Sequence, residues 1–145
     1  MKRFFLFYLL FLSSFAVTAQ PSWVKKATKS VFTLKTFDAE GTLLGSANGF
    51  FTSEQGEALS SFAPFRGAVR GVVIDASGKE YPVACMLGAN ETYDVAKFRV
   101  DIKKAQPLTI APQKQPQGVM AWLLPYREVK KVPEGQIRQV ETIAD

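Results

Sequence analysis

An all-β domain, a barrel or a sandwich, is the fold class this sequence predicts, and three observations predict it. Short runs alternate apolar and polar residues and are rich in Val, Phe, Thr and Leu, as in Val31-Phe-Thr-Leu-Lys-Thr-Phe37. Turn signals separate them, at Asp38-Ala-Glu-Gly41, Ser53-Glu-Gln-Gly56 and Ala76-Ser-Gly-Lys79. Strands spaced roughly 8–12 residues apart in this way make sandwiches and barrels. No stretch carries the three-to-four-residue apolar period of a long helix.

Taken in order, Trp23 to Ser30 reads as a short amphipathic lead-in of one or two helical turns. Val31–Phe37 is the first strand, because alternation puts one side on a core and leaves the other wet. Thr42-Leu-Leu-Gly45 leads into a second strand over Ser46–Thr52, and Glu57–Phe62 is a third. A break at Pro64–Gly67 follows. Val69–Asp75 and Glu80–Leu87 form a hairpin about the tight turn at 76–79. Gly88–Thr92 reads as a loop, and Asp94–Val100 as a strand. Pro107–Ile110 and Gly118–Leu124 complete the set, separated by a polar loop at 112–117. Pro125–Gly135 is turn-rich, and Gln136–Ile143 opens one more strand.

The first residues read as an address rather than as fold. Lys2 and Arg3 give a positive start, Phe4–Leu12 is an unbroken apolar run, and Val17-Thr-Ala19 offers small residues for cleavage before Gln20. That is the layout of a cleaved signal peptide over residues 1–19. The apolar run falls short of the ~20 residues a spanning helix needs. The expected destination is therefore export, to the periplasm or outside the cell, with no stable membrane insertion. Loss of Lys2 and Arg3 takes the formal charge from +5 to +3. The remaining lysine pairs are scattered in sequence, unlike the clustered stripe of a nucleic-acid footprint. No nucleic-acid partner is expected.

The single cysteine, Cys85, excludes an internal disulfide. Between Val83-Ala and Met86-Leu it reads as a buried, inert thiol. With one cysteine and no histidine, neither a zinc site nor any other cofactor is expected.

Five weak motifs then occur in one order. Ser30-Val-Phe-Thr-Leu34 precedes Gly45-Ser-Ala-Asn-Gly-Phe-Phe51. Gly56-Glu-Ala-Leu59-Ser60-Ser61-Phe62-Ala63 follows, then Gly78-Lys-Glu-Tyr-Pro82, then Asp94-Val-Ala96. This order resembles the trypsin-like serine proteases, in particular the exported bacterial HtrA/Deg type. Gly118–Pro125 with Gly135-Gln-Ile137 resembles the crossing from the first barrel of that family to the second. The resemblance implies a six-stranded antiparallel Greek-key barrel over 31–125, a lead-in over 20–30, and a crossing segment over 126–145. A second barrel beyond Asp145 is implied with it, as is a protein or peptide partner.

The match fails where chemistry matters. The family's catalytic histidine falls on Ala63, which has no group to accept a proton, and the chain contains no histidine at all. Asp94 falls on the catalytic aspartate, whose work is to orient that histidine. A Gly-x-Ser-Gly nucleophile segment does not occur. On the residues alone, Asp94 is a strand-start carboxylate hydrogen-bonded to backbone or to nearby hydroxyls, with Tyr93, Ser60 and Ser61 as partners. Asp38, Glu40, Glu54 and Asp75 sit in turns, where solvation explains them better than a carboxylate pair does.

Three functional readings follow. One is an inactive trypsin-like domain serving as scaffold or binding module. A second is the first half of a working endopeptidase whose serine lies further on. The third is an unrelated exported β domain that binds an envelope partner.

Overall fold

A computed structural model describes residues 21–110, 120–124 and 134–138 of the 145-residue chain. The expected leader, the 112–117 loop and the stretch beyond Arg138 lie outside the described residues.

The lead-in is one helix, α1, Ser22–Thr28. Val24 and Ala27, three apart, bury the same side of it, while Lys25 and Lys26 occupy its last turn, where the dipole favours cations. Its end is closed from within. The Thr28 hydroxyl donates back to the Val24 carbonyl at 2.9 Å, and Ser30 N–H donates to Ala27 at 2.9 Å.

Six strands follow: β1 Val31–Phe37, β2 Leu43–Phe51, β3 Glu57–Ser60, β4 Arg70–Ile74, β5 Glu80–Asn90 and β6 Val95–Val100. All neighbours are antiparallel, and the sheet closes in the order β1-β2-β3-β6-β5-β4. The expected barrel is therefore observed, and the sandwich is excluded. Period-two alternation places Phe32, Leu34 and Thr36 of β1 inside. They meet Phe51, Ala58, Val73, Ala96, Phe98 and Val100 from the other strands. Phe32 is the hub, 4.9 Å from the Phe51 ring and 6.1 Å from Phe98. Each such ring contributes about 1.5–3 kcal/mol by leaving water. Gly49 makes room for it, because a Cβ there would come within 2.6 Å of both the Phe32 ring and the Leu59 carbonyl.

The hairpin at 75–79 forms as expected. One Asp75 carboxylate oxygen accepts the N–H groups of Ser77 and Lys79 and the Ser77 hydroxyl. Beyond it β5 runs longer than expected. Gly88–Asn90, read from sequence as loop, pairs with Lys97, Ala96 and Val95. Two bulges, at Ala84 and at Leu87, break its register with β6. β5 pairs with β4 only over Glu80–Pro82, so its far edge from Ala84 onward is unpaired among the described strands. This corrects the reading of Cys85, which is exposed rather than buried. Apolar neighbours made the run look like core, but the bulge before it puts Cys85 beside Arg99 on the outer face.

Pro107–Ile110 is not a strand. Pro107 has no N–H to give to a ladder. This segment only tracks the end of β2, with Leu108 N–H donating to the Phe51 carbonyl at 2.8 Å. β7, Met120–Trp122, and β8, Glu134–Gln136, form a separate two-stranded sheet. The strand expected to begin at Gln136 thus begins two residues earlier and, among the described residues, ends there. Trp122 of β7 meets Trp23 of α1 edge to face, with centroids 5.0 Å apart.

Candidate functional site

β3 and β6 run antiparallel with Ser60 opposite Ala96, so the end of β3 lies beside the start of β6. The chain leaves β3 through a 3₁₀ turn, Ala63–Phe65, with Pro64 in its first positions, where a fixed φ suits the turn. It enters β6 through Asp94. The two residues that the sequence singled out, thirty-one apart, are thereby brought into contact.

Asp94 Oδ1 accepts the backbone N–H of Ala63 at 2.7 Å. Its carbonyl accepts Phe62 N–H at 3.3 Å, and its own N–H donates to Glu91. Asp94 holds a left-handed backbone, φ 51°, a conformation that Asp and Asn tolerate better than other side chains. The carboxylate therefore clasps the amide of the turn. Its partner here is backbone, as the residue reading allowed. Ser60 Oγ donates to the Ser61 carbonyl at 2.9 Å. Tyr93 N–H donates to Asn90 Oδ1 at 3.0 Å.

The turn is also pinned from inside the barrel. The Thr36 hydroxyl, fully buried, donates to the Pro64 carbonyl. Pro64 packs over Gly45, where a Cβ would lie 3.4 Å from the proline Cα and Cβ. Phe65 drops its ring onto Phe98 at 5.2 Å, and the Arg66 guanidinium lies 5.9 Å above Phe62. Sequence reasoning missed Thr36, and it placed Gly45 in a motif without its packing role against Pro64. The signal was available for Thr36, a hydroxyl at an inward position after Phe32 and Leu34.

Ala63 offers a methyl group and an amide already bonded to Asp94. The other carboxylates raised from sequence serve turns. Asp38 Oδ1 accepts the N–H groups of Glu40 and Thr42, and Glu54 pairs with Lys104 at 3.8 Å. Asp75 is the one with a resolved acidity shift. Partial burial pushes its carboxyl up, but the hydrogen bonds from the Ser77 hydroxyl, the Lys79 and Ser77 amides and Tyr81 outweigh this and hold it below the ordinary value. Among the described residues no three His, Cys, Asp or Glu side chains converge as a metal site would require.

No protein-family model matches the chain, and no curated protein is significantly similar to it.

Proposed function

We propose that the chain is an exported domain of trypsin-like protease ancestry, carrying the Greek-key first barrel of that fold and acting as a scaffold or binding module without catalysis. One observation carries the reading. Asp94, at the position the resemblance gives to the triad carboxylate, reaches residue 63, the histidine position, where its Oδ1 accepts the Ala63 backbone amide. In a working triad the carboxylate receives the Nδ1–H of the histidine and stabilises the imidazolium. A methyl group in place of the ring leaves the carboxylate as a structural clasp. The strand order β1-β2-β3-β6-β5-β4 supports the barrel ancestry, and the leader-like start supports export.

The test is hydrolysis of casein and of a mixed peptide library by the purified chain, together with labelling by a fluorophosphonate. No turnover and no label are expected. Robust labelling would overturn the reading, because it requires an activated serine that this corner does not supply. Where the chain is followed by a second barrel, Ala63→His in that longer polypeptide separates a lost base from a lost scaffold. Hydrolysis appearing only in the variant would place the defect at residue 63 alone.

A further inference from the structure

Outside the Ala63 corner, the helix that precedes the barrel carries a one-signed set of charges. From Pro21 to Phe37 the sequence carries four lysines and no acid. The helix sorts three of them. At 100° per residue, Lys25, Lys29 and Lys26 fall within one arc of α1, and Val24 and Ala27 occupy the buried arc. Trp23 lies on the border between the two arcs and is 51% exposed. Among the described residues none of these lysines is engaged in an ion pair. The indole is braced by its edge-to-face contact with Trp122, and the residue after Trp122, Leu123, is 72% exposed. The β7–β8 ladder pairs Trp122 with Glu134 in register.

We propose that α1 and the Trp23–Trp122 pair form a docking surface for an anionic lipid bilayer, on which the protein rests without crossing it. Charge selects this occupant, because the three ammonium groups complement headgroup phosphates. The indole beside them supplies an amphipathic ring of the kind that collects at the headgroup level. Lysine stems lie along apolar surface while their charges stay wet, so one helix face serves both contacts. The apolar run Phe4–Leu12 ends ten residues before Ser22, so on the export reading a leader of that kind delivers this surface to a membrane. Among the described residues no helix is long and apolar enough to span, so the contact is peripheral.

The experiment is co-sedimentation of the full chain with vesicles of phosphatidylcholine, with and without phosphatidylglycerol. Binding is expected to require phosphatidylglycerol and to weaken with salt. Each lysine contributes about a five-fold factor near an anionic surface, so Lys25→Gln, Lys26→Gln and Lys29→Gln together lower the affinity about a hundredfold. In a Trp122→Phe background, Trp23 emission is expected to shift to the blue on the anionic vesicles. Binding to neutral vesicles that the triple variant leaves unchanged would assign the affinity to Phe4–Leu12 and overturn the proposal. Equal affinity for duplex DNA, lost in the same triple variant, would make a nucleic acid the occupant and overturn it as well.

Discussion

Asp94 holds a left-handed backbone angle and a hydrogen bond at once, and three substitutions separate the two contributions. Asp94→Asn keeps an oxygen acceptor for the Ala63 amide and a side chain that tolerates φ 51°. It is expected to stay within about 0.5 kcal/mol of wild type. Asp94→Gly suits the angle but removes the acceptor, at a cost of about 1 kcal/mol for one hydrogen bond. Asp94→Ala loses the bond and also takes on the left-handed penalty, about another 1 kcal/mol, for about 2 in all. In a domain of this size each kcal/mol lowers Tm by about 4–8 °C, so calorimetry should rank the variants Asn, Gly, Ala in falling order. Equal Tm for Gly and Ala would refute the strain argument. Asn as damaging as Ala would refute the clasp, since charge rather than the amide bond would then be what residue 94 supplies.

Three further outcomes follow from the packing and the turns. Phe65 and Phe98 share an edge contact that ties the Ala63 turn to the core, so a double-mutant cycle of Phe65→Leu and Phe98→Leu should show coupling of about 1 kcal/mol in denaturant titrations. Zero coupling would detach the turn from the core. Gly56 combines φ 87° with a Cβ position 2.4 Å from the Val100 carbonyl. Gly56→Ala should therefore cost about 2–4 kcal/mol by urea unfolding, and a cost under about 1 would contradict the close approach. Asp75 has a folded pKa below its unfolded value, so the stability it contributes is present above the unfolded value and is lost as pH falls through the folded one. The Tm gap between wild type and Asp75→Asn should thus be open at neutral pH and close in acid. A gap that widens in acid would reverse the sign.

Most of the barrel was legible because strands such as β6 alternate and its turns carry their own chemistry. β1 and the Asp75 hairpin are cases in which local pattern and tertiary role agree. Legibility ended where register was set by the partner strand. The run around Cys85 is apolar on both sides, so nothing local announces that bulges move its side chains off the core pattern. Gly88 looked like a loop residue because glycine weakens strands, yet pairing with Lys97 carried the ladder past it. Residues 107–110 failed in the opposite sense, since their apolar character had no strand edge with which to form a ladder. At the candidate site the sequence named both ends of the contact, Ala63 and Asp94. The particular amide that Asp94 accepts was not legible, because a hydrogen bond between loops depends on the closure of β3 against β6, which residue types do not encode.

The irregular course of β5 also bears on how the molecule behaves in concentrated solution. From Ala84 to Asn90 the strand carries no charged residue, and its outer rim of amides and carbonyls has no partner among the described strands. A rim of that composition in an evenly pleated strand would be a template on which copies of the molecule stack into fibres. The two bulges break the repeat, so the donors and acceptors along the rim fall out of step with those of any straight strand laid beside them. The bulges thus work against edge-to-edge stacking along a stretch that carries no charge. An insertion or deletion that evened out the pleat would lose that protection while leaving the core untouched.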